Sequence, residues 1–184
     1  MNFNVQEQAA RVHELNAKWW VNLETGEPIK RNFGELIMLT VSELGEALEG
    51  DRKSLMDDKL PHRSMFEVEL ADTLIRILDY VGGLNLPLIG YTDSQIPLSD
   101  NTAENLLLLA QHLCKAYDAY EAGARADENE PCASYLDEVI IGIFALGESM
   151  KLDVLGAYEE KLAYNAQRED HKVEARKAAG GKKY

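Results

Sequence analysis

Residues 32–50, NFGELIMLTVSELGEALEG, and residues 64–81, SMFEVELADTLIRILDYV, decide how this chain is read. Each begins with a capping box, Asn32-x-x-Glu35 and Ser64-x-x-Glu67, the local signature of a helix start. In the first stretch Leu36, Leu39, Glu43 and Glu46 follow a 3-4-3 spacing, with Thr40 and Ala47 beside that stripe. The two carboxylates therefore extend an apolar seam rather than lying opposite it. In the second stretch Leu70, Leu74, Ile77 and Leu78 form one flank, and Val68, Ala71 and Ile75 the other. Between them runs a narrow polar stripe of Glu69, Asp72 and Arg76. The two acidic motifs, Glu43-x-x-Glu46 and Glu69-x-x-Asp72, are separated by 22 residues.

Three residues is nearly one helical turn, so each motif projects two carboxylates from one side of its helix. Four carboxylates facing one another between two helices repel unless a cation sits among them. Oxygen-only ligands suit a hard divalent ion such as Mg²⁺. The competing reading is a pair of solvated acidic faces, because acidic pairs at this spacing are common by chance. A di-iron centre lacks its signature: the residues three before His13, His62, His112 and His171 are Ala10, Lys59, Leu109 and Arg168, none acidic.

Outward from these two helices the pattern stays helical. Val5, Ala9, Val12, Asn16 and Trp19 mark a first helix, ending before the turn at Glu24-Thr25-Gly26-Glu27-Pro28. The charged segment 51–63 reads as a loop, with at most a short turn of helix. A connector with Pro87, Gly90 and Pro97 precedes two long helices, about 102–122 and 133–152, split by GARADENEP. A sixth helix is expected over about 154–170, and the basic stretch 171–184 as a frayed, flexible tail. No period-2 strand of useful length appears. The expectation is an all-α antiparallel helical bundle, a single domain over 1–170.

The two halves also resemble each other. Leu44 and Ala47 pair with Leu113 and Ala116, and Ile75, Leu78 and Leu84 with Ile143, Leu146 and Leu152. In that register Glu43 falls on His112, Glu46 on Lys115, Glu69 on Asp137 and Asp72 on Ile140. An internal pseudo-duplication of helical hairpins (33–84 and 102–170) would explain this, as would the leucine spacing any two helical hairpins share.

With 32 acidic against 19 basic residues, the formal charge of −13 disfavours binding a polynucleotide backbone. A metal-bridged nucleotide remains compatible, because the ion supplies positive charge locally. The start of the chain lacks an apolar signal region, and no apolar run reaches membrane-spanning length. Cys114 and Cys132 show no metal-binding or redox spacing. The expectation is a cytoplasmic protein with reduced thiols, not associated with a membrane.

At these residues the chain resembles the all-α nucleoside triphosphate pyrophosphohydrolases of the MazG-like superfamily, which includes dimeric dUTPases and dCTP pyrophosphatases. The E-x-x-E and E-x-x-D pair matches at Glu43, Glu46, Glu69 and Asp72. Lys161-x-x-x-Asn165-x-x-Arg168, in KLAYNAQRED, matches a motif of the family's last helix. The stretch from Glu49 to Tyr80 is similar to small phage and bacterial members, and the likeness covers about 33–84 and 152–171. One departure is Ser42, where many members carry a further Glu; Glu49 or Glu35 is a candidate substitute.

This resemblance implies a hydrolase acting on phosphoric anhydride bonds. Two or more Mg²⁺ ions (or Mn²⁺) held by Glu43, Glu46, Glu69 and Asp72 would activate water to attack the α-phosphorus of a (d)NTP. The products would be a (d)NMP and diphosphate, with dUTP-, dCTP- or dGTP-like substrates and a role in nucleotide-pool control. Lys53 and Arg76 are candidates for a phosphate clamp, assisted by Lys161 and Arg168; an Arg76–Asp72 ion pair is the alternative for Arg76. Trp19 or Trp20 is a candidate to stack on the base and Asn165 to read its edge, with His13 and Asn16 nearby and one tryptophan expected in the core. A homo-oligomer, dimer or tetramer, is expected. The alternatives are a phosphoribosyl-ATP pyrophosphohydrolase and a non-catalytic helical nucleotide-binding or assembly protein.

Overall fold

The capping residues act as their spacing predicts. In the computed structural model the Asn32 Oδ1 accepts from the Glu35 backbone N–H at 2.9 Å, and the Ser64 Oγ from that of Glu67 at 3.2 Å. The structure describes residues 3–88, 95–126 and 130–182, so Gly90 of the connector lies outside the described residues. Among the described residues seven helices follow in order: α1 Val5–Asn16, α2 Phe33–Lys53, α3 Met65–Leu84, α4 Thr102–Ala126, α5 Glu130–Ser149, α6 Val154–Gln167 and α7 Val173–Lys177. Short 3₁₀ turns cover Ala17–Trp19 and Glu169–His171. Among the described residues there are isolated β-bridges but no strand, and the chain is an all-α bundle.

α3 is the central helix, packed against α1, α2, α5 and α6. Leu70, Leu74, Ile77 and Leu78 on it are fully buried, each contributing about 1.5–3 kcal/mol relative to exposure. Two antiparallel hairpins, α2–α3 and α4–α5, meet through α2 against α4 and α3 against α5. The pairs matched in the sequence occupy the same core: Leu44 and Leu113, Ala47 and Ala116, Ile75 and Ile143, Leu78 and Leu146 are all buried. No described helix is long and apolar enough to cross a membrane. Both cysteines are free.

Several boundaries differ from the sequence reading. Gly50 does not end α2. It lies within the helix, where a Cβ would come within 2.9 Å of Met65 Cβ, and the cap is Ser54 in the left-handed region at φ 51°. Three residues of the expected loop, 51–53, are thus helical. α4 extends to Ala126, and α5 begins at Glu130, because Pro131 is tolerated in a first turn that needs no N–H donor. α5 stops at Ser149 as Lys151 turns left-handed (φ 58°) and the Leu152 N–H returns to the Gly147 carbonyl at 2.8 Å. α6 ends at Gln167, since Arg168 is extended. Beyond it the end of the expected sixth helix is a 3₁₀ turn, and where fraying was expected comes α7, whose Arg176 is buried.

Candidate functional site

Three helices converge on the polar stripe of α3. α2 brings Glu43, α3 brings Glu69 and Asp72, and α6 brings Lys161 to the same point. Oxygen atoms of Glu43, Glu69 and Asp72 lie within 4.8 Å of one another, with Glu43 and Glu69 buried. The Oε2 of Glu69 is buried and makes no hydrogen bond among the described residues. Such an atom costs free energy unless a ligand satisfies it.

The electrostatics agree with that geometry. Burial, then the charges of Asp72 and Glu43, raise the Glu69 carboxyl from an ordinary 4.5 to about 9. Burial also raises Asp72, to about 6, with Glu43 adding to the shift and Lys161 opposing it. Glu46 stands outside the tight set of three and lines the same cleft. Partial burial and then the Glu43 charge raise its pKa. The donor set is oxygen alone, without imidazole or thiolate, and so fits a hard cation such as Mg²⁺ or Mn²⁺.

Charged partners hold this set in place. Arg76 Nε donates to Glu43 Oε1 across the hairpin; it does not pair with Asp72, the alternative the spacing allowed. Lys161 Nζ lies 2.8 Å from Asp72 Oδ2 and 3.9 Å from Asp57 Oδ2. Burial works against the Lys161 charge, but Asp72, Asp57 and Glu69 outweigh it and raise the ammonium's pKa. Asp57 is itself fixed, its Oδ1 accepting from the backbone N–H groups of Lys59 (2.9 Å) and Leu60 (2.6 Å). Lys161 therefore braces a carboxylate of the cluster and also lines the cleft.

The cluster opens onto a cleft of about 510 Å³. Its wall includes Trp19, Arg31, Arg76, Asn165, Arg168 and Lys182. Trp19 faces the cleft. Trp20 is buried outside the lining, where its Nε1 donates to Asp79 Oδ1 at 3.0 Å and its ring meets His13 edge-on. Asn16 lines the cleft with Trp19, whereas His13 engages Asp79 at 3.1 Å. The Asn165 Oδ1 is buried and makes no hydrogen bond among the described residues.

Lys53 is not in the wall. Because α2 continues to Lys53, its ammonium pairs with Glu49 one turn back, on the exposed end of the helix. That pair also takes Glu49 away from the role suggested by Ser42, and Glu35 is held by Arg31 at 3.0 Å. Ser42 itself lines the cleft, its Oγ donating to the Leu39 carbonyl at 2.7 Å.

Asp57, Arg31, His171 and Lys182 are among the lining residues that escaped the sequence reading. Asp57 was signalled only by the acidic loop MDDKLP. Arg31 precedes a capping box and reads as an ordinary helix-start ion pair. His171 and Lys182 lie in the stretch read as a tail. Burial, and then the charges of Arg168 and Lys182, lower His171 to about 4. Compared with known proteins, the chain matches no family model, no curated protein and no solved structure.

Proposed function

We propose that this chain is a divalent-metal-dependent nucleoside triphosphate pyrophosphohydrolase, converting a (d)NTP and water to a (d)NMP and diphosphate. One observation carries the reading: Glu43, Glu69 and Asp72 bring oxygens within 4.8 Å of one another, and the buried Glu69 Oε2 has no hydrogen-bond partner among the described residues, in a cleft lined also by Arg31, Arg76, Arg168 and Lys182. Glu43, Glu69 and Asp72 would hold Mg²⁺ or Mn²⁺, with Glu46 alongside. When bound, the ion supplies Lewis-acid charge at the phosphoryl oxygens and lowers the pKa of coordinated water.

The protein's own groups divide the remaining work. Lys161 keeps Asp72 ionised and oriented, and Arg76 orients Glu43 by donating to its Oε1. Glu46, exposed to the cleft with a raised pKa, is placed to take the proton of the attacking water. Arg168 and Lys182 neutralise the leaving diphosphate from the facing wall. Asn165 is available to the nucleoside end, whereas the Trp19 ring expected to stack on the base already carries the Arg176 guanidinium at 3.9 Å and meets His171 edge-on.

A panel of NTPs and dNTPs with Mg²⁺ or Mn²⁺, scored for diphosphate against orthophosphate, tests the reading. Diphosphate release from at least one substrate, abolished by chelation, is expected. Turnover of none would leave a nucleotide-binding or assembly protein, and release of single phosphates would contradict attack at the α-phosphorus.

A further inference from the structure

The last described residues bury almost nothing apolar. The hydrophobic core ends at Leu162 among the described residues, and Val173 of α7 is 40% exposed. What this segment buries is an arginine. Arg176 is 4% exposed, its guanidinium 3.9 Å from the centroid of the Trp19 ring and its Nη1 donating to the Lys18 carbonyl at 2.5 Å. Burying a guanidinium is costly, and its contacts to the Trp19 ring and to the Lys18 and Lys182 carbonyls offset part of that cost. A segment that adds so little apolar core contributes little to fold stability by hydrophobic burial.

Its geometry instead points at the cleft. Asp170 takes a two-pronged contact from Arg168 (2.9 and 2.7 Å) and a further one from Lys182 (3.3 Å). Gly180, at φ 81°, and Gly181, whose Cβ would lie 2.4 Å from the Arg176 carbonyl oxygen, fold the chain back on α7. That turn sends Lys182 into the cleft wall, and Arg176 Nε donates to the Lys182 carbonyl at 3.5 Å. His171 meets the Trp19 ring edge-on, with centroids 5.1 Å apart. Three cations crowd one another behind Trp19: burial and then Arg176 depress Lys18, while burial and then Arg31 depress Arg176. Repulsion of that kind is relieved by a bound anion.

We propose that residues 169–182 form a strap that completes the polyphosphate-binding end of the cleft, with Arg176 as the positioning residue that latches it onto Trp19. The strap holds His171 and Lys182 beside Arg168, opposite the carboxylate cluster. This rests on the hydrolase reading and adds to it a segment outside the two acidic motifs. A triphosphate bound beneath the strap keeps it closed.

The test uses full-length wild type and the variants Arg176→Met, Arg176→Lys and Lys182→Ala. Inorganic tripolyphosphate with Mg²⁺ serves as the binding probe, and the best substrate of the panel serves for kinetics. Arg176→Met should raise KM about tenfold with kcat changed less than about threefold, and weaken tripolyphosphate binding to match. Arg176→Lys should recover part of the loss, and Lys182→Ala should show the same split. In wild type, Mg²⁺-tripolyphosphate should slow tryptic cleavage at Lys172 and Lys177 about fivefold or more, and Arg176→Met should abolish that protection. A folded Arg176→Met chain with unchanged KM, affinity and protection overturns the strap while the hydrolase reading stands. A wild-type chain that neither turns over nucleotides nor binds tripolyphosphate overturns both.

Discussion

The two hairpins of the bundle share a core and differ in what they place between their helices. In α2–α3 the positions Glu43, Glu46, Glu69 and Asp72 are acidic and open onto a cleft. In α4–α5 the matched positions are His112, Lys115, Asp137 and Ile140. His112 donates Nδ1–H to its own helix at Leu108, 2.9 Å away, and Lys115 lies over Tyr135 at 5.9 Å. Asp137 and Ile140 are buried. Four matched apolar pairs, Leu44 and Leu113, Ala47 and Ala116, Ile75 and Ile143, Leu78 and Leu146, are buried in both hairpins, so packing at those positions is separable from chemistry. A helix can carry carboxylates on its seam or fill it, provided the flanking leucines remain.

The sharpest way to break this comparison is to remove the acidic set. Glu69→Gln and Glu43→Gln should each lower metal-dependent diphosphate release by on the order of 10²–10³, the loss seen when one group stabilising developing charge is removed. Near wild-type rates with excess Mg²⁺ would end the claim that the first hairpin carries the chemistry. The shared core is tested by Leu44→Ala and Leu113→Ala, each expected to cost about 2–5 kcal/mol in denaturant unfolding. A large effect in only one hairpin would show that the two do not contribute alike.

Bracing of the cluster from α6 gives a smaller effect. Lys161→Met should lower activity about 10–100-fold, mainly by weakening Mg²⁺ activation, so a Mg²⁺ titration of rate is the measurement. Equal activation in the variant would reduce Lys161 to a structural ion pair.

Metal-free stability supplies a pH test with a definite sign. Glu69 and Asp72 have folded-state pKa values raised above their ordinary ones, to about 9 and about 6. Their stabilising protonation is fully present below about pH 4 and is lost as pH rises through 6 and then 9. The melting temperature in EDTA should therefore fall across that window. Saturating Mg²⁺ should oppose the fall, and Glu69→Gln should flatten it; a flat profile in the metal-free wild type would contradict the crowding of these carboxylates. The smallest effect belongs to the second hairpin: Asp137→Asn should leave diphosphate release within about threefold of wild type.

Legibility in the sequence followed the range of each interaction. Asn32 and Ser64 announced two helix starts because a cap acts within three residues. Glu43 and Glu69 announced their burial because the leucines around them repeat with the helix. Gly50 misled, because a glycine that ends a helix and one that admits a neighbouring helix look alike in one dimension. Lys53 misled for the related reason that one turn of extra helix redirected its side chain to Glu49.

By itself the sequence determined the all-α architecture, the two hairpins and the acidic motifs, because periodicity and capping are properties of a single segment. Only the tertiary structure decided that Arg76 meets Glu43, that Lys161 lies between Asp72 and Asp57, that Trp19 and not Trp20 faces the cleft, and that Arg176 seats the end of the chain against it. Each of those choices depends on how helices distant in sequence pack together, and a repeat of leucines does not encode which polar side chain will stand opposite another.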